Sequence, residues 1–308
     1  MLDIALLGTG GMMPLANRYL TSLLCRLNGS LFLVDCGEGT QMTARLLGWG
    51  FKRIDYIFFT HFHGDHITGL PGILYTMAHA GRDEPLHIYG PEGLTKVVDC
   101  LCVVARDLPY EVVCHEMNGY VENEPIGEFY MSALPLQHRT ACYGYAFTVP
   151  RQGRFDPVRA EALALPKKYW SLLQKGETVD FDGLSFTPDM VLGPPRKGIK
   201  VAYCTDTRPT RQLPDFVRGA DLFICEGLYG DDEMRDKAAS HKHMVYSEAA
   251  AIARAGQVKE LWLTHFSPAM TNPKEHLSFA TDIFPGASAG YDRRSATIDF
   301  DEDNEIID

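Results

Sequence analysis

Six consecutive residues carry the strongest chemical signal in the chain: His61-Phe62-His63-Gly64-Asp65-His66. Imidazole and carboxylate are both good ligands for zinc and other borderline divalent metals. The run follows Asp55-Tyr-Ile-Phe-Phe-Thr60, a strand-like stretch. A continued strand would send alternate side chains to opposite faces, whereas a loop at its end lets neighbours converge. Six residues cannot easily point four ligands at one ion, so two adjacent ions are the natural reading. His61 and His63 would serve one metal, Asp65 and His66 the other.

Each ion then needs ligands from elsewhere, and position narrows the choice among eleven histidines. His138 follows the apolar run Phe129–Leu136, His265 ends Leu261-Trp-Leu-Thr264, and Asp206 ends Val201-Ala-Tyr-Cys-Thr205. All three stand where a buried strand would deliver a side chain to a sheet edge. With His61 to His66 they complete two coordination spheres, and Asp206 is able to bridge. His79, His87, His115, His241 and His276 lack that placement and read as surface or structural. Gly8-Thr-Gly10-Gly11 reads as a turn, since the third glycine of a dinucleotide loop is missing. Cys36, Cys204 and Cys225 flank the proposed ligands, which already suffice without them.

The elements that must position these residues alternate in type. Strands are predicted over Ile4–Leu7, Leu20–Leu27, Ser30–Asp35, Arg53–Thr60, His87–Tyr89, Glu128–Leu134, Tyr143–Val149, Lys200–Thr205, Asp221–Glu226 and Lys259–Thr264. Helices are predicted over Gly39–Leu47, Ile67–Ala80, Pro91–Ala105, Thr210–Arg218, Met244–Ala255 and Pro273–Ile283. Early strands follow one another and later ones alternate with helices, which points to mixed sheets in an α/β layered architecture. The interval from Pro150 to Lys197 carries six prolines and little periodicity, with one short helix over Pro157–Leu173. It reads as an excursion from a single domain spanning 1–308.

Composition sets the outer limits. The 308 residues are 45% hydrophobic and 22% charged, which excludes a wholly disordered, collagenous or coiled-coil protein. No apolar run approaches the roughly 18 residues of a membrane helix, and Met1 leads straight into a strand-like segment, so neither a membrane span nor a secretory signal is expected. Eight irregularly spaced cysteines suit reduced thiols in a cytosol. The net charge is −11, yet Arg139–Arg211 holds 12 Lys/Arg against 7 Asp/Glu. An acidic protein with one basic stretch can hold a polyanion locally.

The stretch Thr60-His-Phe-His-Gly-Asp-His66-Ile-Thr-Gly-Leu-Pro-Gly72 resembles the metal signature of the metallo-β-lactamase superfamily. More narrowly, the chain resembles the ribonuclease Z family of tRNA 3′-processing endonucleases. Leu7–Gly10, Pro14 with Arg18, Asp35-Cys-Gly-Glu-Gly-Thr-Gln41, Leu192-Gly-Pro-Pro-Arg-Lys197 and Asp206-Thr-Arg-Pro209 carry that resemblance. It implies a four-layer αββα sandwich with an inserted arm over 150–197 and a di-zinc site at the sheet edges, manganese being the other option. It assigns His61, His63 and His138 to one zinc and Asp65, His66 and His265 to the other, bridged by Asp206. It also implies proton transfer by Glu226 and His243, although Cys225-Glu226-Gly227-Leu228 and His243-Met244-Val245 differ from the family's His-Glu-Ala-Thr and His-Ser-Thr. Asp65 would help take the water proton. The implied substrate is precursor tRNA or another RNA, the setting cytoplasmic and the assembly a homodimer. The arm lacks the family's Gly-Pro element near Leu165–Tyr169. A hydrolase of a small phosphodiester or other ester is the alternative.

Overall fold

The computed structural model describes residues 1–105 and 107–301. Two compact units divide the chain: 1–148 with 200–298, and 149–199 with the C-terminal residues from Asp299. The larger unit is built on two seven-stranded sheets. The first takes β1 (Leu2–Gly8), β2 (Ser22–Leu27), β3 (Ser30–Val34), β4 (Ile54–Phe58), β5 (Leu86–Pro91) and β6 (Val112–Met117). The second takes β7 (Val121–Ile126), β8 (Phe129–Pro135), β9 (Tyr143–Arg151) and, after a two-stranded hairpin of β10 (Val179–Phe181) and β11 (Leu184–Phe186), β12 (Arg196–Cys204), β13 (Leu222–Glu226), β14 (Glu260–Thr264) and β15 (Ala287–Ala289). The last strand, β16 (Ser295–Ile298), returns to pair antiparallel with β1.

Strands β3 to β6 run parallel, as do β12 to β15. Parallel strands covered on both faces read as continuous apolar runs, and all five residues of β13, Leu-Phe-Ile-Cys-Glu, are buried. The inner faces meet through aromatic rings: Phe32 lies 4.7 Å from Phe129 and 4.8 Å from Phe147, and Phe58 lies 5.0 Å from Phe147. Outside the first sheet pack α1 (Thr40–Leu47), α3 (Leu70–His79) and α4 (Leu94–Leu101), with the short α2 (Gly64–Ile67) at its edge. This is the expected helix–sheet–sheet–helix sandwich once the outer helices of the second sheet are added. Those are α7 (Leu213–Phe216), α9 (Tyr246–Ala255) and α10 (Ser278–Thr281).

Several boundaries differ from the sequence expectation for identifiable reasons. The helix expected over Ile67–Ala80 begins only at Leu70: α2 ends at Ile67, and Pro71 opens α3 behind Gly69, where a Cβ would come within 2.2 Å of the Gly37 carbonyl oxygen. The helix expected over Pro91–Ala105 begins only at Leu94, after Gly93 turns the chain at φ 92°. Edge strands β6 and β7 lie outside the expected elements: Val-Val-Cys-His-Glu-Met of β6 is only half-buried, and Val-Glu-Asn-Glu-Pro-Ile of β7 is mostly exposed and polar. A helix of Arg235–His241 (α8) was not expected either.

Residues 149–199 have a core of their own: Ala160, Leu165, Leu173, Val179, Phe186 and Val191. The single helix expected over Pro157–Leu173 is broken. Pro157 opens α5 (Pro157–Ala162), whose N-terminal amides Val158 and Arg159 bond the Asp156 carboxylate at 3.0 and 3.1 Å. Pro166 then precedes a tight turn and α6 (Trp170–Gln174). The β10–β11 hairpin turns on Asp182 and Gly183, both left-handed (φ 52° and 75°), as a two-residue Asp-Gly turn requires.

Candidate metal centre

The predicted ligands converge from four segments. After β4, Phe59 and Thr60 lead into the loop of His61 and His63, and α2 then presents Asp65 and His66. Asp206 follows β12, His265 follows β14, and His138 follows β8. Asp206 and His265 adopt left-handed backbone (φ 52° and 58°), as does Asp35 after β3 (φ 59°). Non-glycine residues rarely stay there unless their surroundings hold them. Each of these turns swings a side chain off the strand end toward the common centre.

Two groups of donor atoms result. His61 Nε2 lies 2.9 Å from His63 Nδ1, and His138 Nε2 lies 3.3 Å from that same atom. Asp206 Oδ2 is 3.6 Å from His61 Nε2 and 3.7 Å from His138 Nε2. The second group joins His66 Nε2 to His265 Nε2 at 3.1 Å, with Asp65 Oδ2 3.6 and 3.3 Å from them. The other oxygen of Asp206, Oδ1, faces this second group at 3.3 and 3.1 Å. One carboxylate thus turns one oxygen to each group.

The fit to a metal can be judged from those atoms. Asp206 is 2% exposed, and its Oδ1 makes no hydrogen bond despite two ring nitrogens close by. A buried carboxylate oxygen without a partner is costly. An ion between it and the two Nε2 atoms would satisfy all three. Nitrogens of two imidazoles at 2.9 to 3.3 Å, with carboxylates around them, are lone pairs brought to one place. The cluster suits a divalent metal.

Supporting residues hold the rings. Asp35, fully buried, accepts from His66 Nδ1 at 2.8 Å and from the Thr60 amide at 2.8 Å. Thr60 Oγ1 sits 3.0 Å from His61 Nδ1. His138 Nδ1 faces the Lys242 carbonyl at 3.3 Å. Such contacts fix ring orientation and tautomer. The Met12 amide donates to Asp65 Oδ2 at 2.6 Å, and Gly11 lies so near His265 that a Cβ would fall 2.6 Å from the ring. The glycine turn after β1 therefore packs directly on the cluster. Asp35 and Thr60 were not singled out from sequence, although Asp35 too ends an apolar strand. Burial would raise the Asp206 carboxyl, but His265, His66 and His61 around it hold it well below the usual carboxylate range. Burial pushes His61 down, favouring the neutral ring that a metal needs.

Glu226 and His243 meet beside the first group. Glu226 ends β13 fully buried, accepts from Thr207 N at 2.6 Å and Met244 N at 3.2 Å, and lies 3.1 Å from His243 Nδ1. Burial works to lower His243, but the Glu226 carboxylate outweighs it and the ring is raised to about 9. His243 Nε2 is 4.0 Å from Asp206 Oδ2, near enough that Asp206, His243 and His265 form a third convergent group. The other histidines lie elsewhere: His87 pairs with His115 at 3.0 Å and His241 with Tyr229 at 2.9 Å. All eight cysteines are free thiols.

Comparison with known proteins identifies the family. The family described as Beta-lactamase superfamily domain matches residues 158–266, and that of Anti-Pycsar protein Apyc1 matches residues 2–130. A ribonuclease Z from Lachnoclostridium phytofermentans is 51% identical over 98% of this chain and 99% of its own length. That of Agathobacter rectalis is 50% identical over 98% and 100%. Among solved structures, the short form of human tRNase Z is 25% identical, with a TM-score of 0.71 over 97% of this chain and 100% of that one. By its fold and by half of its residues, the chain belongs to the ribonuclease Z family of metallo-β-lactamase-fold proteins.

Proposed function

We propose that this chain is a metal-dependent endoribonuclease that hydrolyses a phosphodiester at the 3′ end of tRNA precursors and leaves a 3′-hydroxyl. The observation that carries the reading is the Asp206 carboxylate, with one oxygen turned to His61 and His138 and the other to His66 and His265. That arrangement supports two ions, zinc or manganese, held by His61, His63 and His138 on one side and by Asp65, His66 and His265 on the other. Bound divalent ions supply an acidified water and Lewis acidity toward a phosphate.

The chain's own groups do the rest. Asp65, placed by the Met12 amide, stays ionised and would orient the attacking water by accepting a hydrogen bond from it. Its carboxyl is held below the usual range by His265 and His66, against the burial that would raise it. His243, charged through its contact with Glu226, gives a proton to the departing ribose 3′ oxygen. Glu226 orients that ring through Nδ1 and leaves Nε2 toward the cluster.

Support for the tRNA itself comes from the relatives' names and from the basic stretch Arg139–Arg211. No helix among the described residues is long and apolar enough to cross a membrane, and the chemistry belongs with tRNA maturation in the cytoplasm. The family resemblance favours a homodimer, which light scattering on purified protein checks. The decisive test is incubation with a precursor tRNA and mapping of the cut. Cleavage at the 3′ end of the precursor, leaving a 3′-hydroxyl, is expected. Hydrolysis of small phosphodiesters alone would return the reading to a small-substrate hydrolase.

A further inference from the structure

The loop that carries Asp206 and the loop that carries His243 are clamped together by an ion pair outside the cluster. Arg208 follows Asp206 by two positions. Its amide donates to the Gln137 carbonyl at 3.1 Å, beside His138. Its guanidinium reaches the opposite way: Nη1 donates to the His243 carbonyl and to Glu248 Oε2 (2.9 Å), and Nη2 donates to Glu248 Oε1. Glu248 also accepts from the Val245 amide at 3.1 Å, closing the start of α9 just past His243. Arg235 Nη1 stands 3.7 Å from the same Glu248 Oε1.

The contacts divide the work of holding His243. Glu226 takes the ring at Nδ1, and the Ala238 carbonyl takes the amide at 2.8 Å. The residue before it, Lys242, is left-handed (φ 66°), so no regular ladder secures this turn. The remaining backbone group, the His243 carbonyl, is held by Arg208. A bidentate guanidinium–carboxylate fork fixes direction as well as charge, which a lysine ammonium cannot do. The side chains are 17% and 9% exposed, so water competes little.

We propose that Arg208, seated by Glu248, is the positioning residue for His243, keeping its ring in register with the Asp206 loop. The proposal rests on the reading of His243 as proton donor to the leaving oxygen. A displacement of about 1 Å in a reacting group can cost roughly 10²-fold. The clamp therefore acts on cleavage of bonds whose leaving group needs a proton.

The test compares two substrates in single-turnover assays of the metal-loaded enzyme. The ribose 3′ oxygen of a precursor tRNA must be protonated, whereas a nitrophenolate leaves bis(p-nitrophenyl) phosphate as the anion. Arg208→Lys and Glu248→Gln should each slow precursor cleavage by roughly 10- to 10²-fold, with KM little changed. The loss on the nitrophenyl ester should be at least about tenfold smaller, and metal content should match the unsubstituted protein. The double variant should be no worse than the poorer single one. Equal losses on both substrates, or loss of metal, would make the pair a prop for Asp206 and overturn the proposal. His243→Ala separates the two levels. If it shows the leaving-group difference and the clamp variants do not, only the positioning role fails. If it shows none, the proton-donor reading falls and the clamp proposal with it.

Discussion

The sheet-edge cluster and the 149–199 unit use charge in opposite ways. At the cluster the ionisable groups are buried and face one another: His61, His66, His265 and Glu226 are fully buried, and each Asp206 oxygen has imidazoles around it. In the 149–199 unit Lys167 and Lys168 are exposed and ride on aromatic rings. Lys167 lies over Trp170 at 5.4 Å, Lys168 over Tyr169 at 4.6 Å, and Tyr169 packs on Phe181. Buried charge depends strictly on its partners, because an unpaired member is costly in a low dielectric. Exposed charge is screened and additive. Substitutions at the cluster should thus act nearly all-or-none, and those at the exposed lysines by degrees.

The largest effect should come from Asp206→Ala. If the carboxylate joins both groups, elemental analysis will find both ions gone and activity with them. His265→Ala should remove chiefly one ion, since His61, His63, His138 and Asp206 remain. Equal metal loss from both substitutions would argue against a bridging Asp206, and a native content of one ion or none would break the two-ion reading.

Next comes His243→Ala, with turnover expected to fall by roughly 10²–10⁴-fold at unchanged metal content. Glu226→Gln should act similarly, and the double variant no worse than either single, if the pair works as a unit. Loss of metal would instead make His243 a ligand, a role its place beside Asp206 and His265 allows on distance. Smaller again is Asp35→Asn, which keeps the shape but not the charge facing His66 Nδ1. Metal affinity should weaken by about 10- to 100-fold, read by chelator competition.

What could be read from sequence followed how local its cause was. His61 to His66 fall within six consecutive residues, and His138, Asp206 and His265 each follow an apolar run, so ligand type and placement were visible before any fold. The paired sheets were foreseeable from runs such as Leu222–Glu226. The devices that aim the ligands were not. The left-handed turns at Asp35, Asp206 and His265 fall on residue types that tolerate that backbone, but only the surrounding packing makes these particular ones adopt it. Arg208 and Glu248 are forty positions apart, and nothing in either neighbourhood announces the other. Strand β7 is polar because it is an edge, so its pairing with β8 shows only in three dimensions.

The smallest expected effect tests the other side of the comparison. Arg139–Arg211 holds 12 cations against 7 acidic residues in a chain of net charge −11, so this stretch should supply much of the attraction for phosphate. Phosphate contacts release counterions, and affinity for a duplex stem should fall with log salt at a slope near −0.9 per contact. Replacing Lys167 and Lys168 with alanine should flatten that slope by up to about two contacts and weaken binding of a structured tRNA precursor. Because the cations sit on Trp170 and Tyr169 and not in the unit's core, folding should be little affected, which thermal unfolding checks. Cleavage of a minimal phosphodiester should hold, since the cluster residues carry that chemistry. An unchanged salt slope would mean that these lysines touch no phosphate, and that exposed charge in this unit does not serve tRNA.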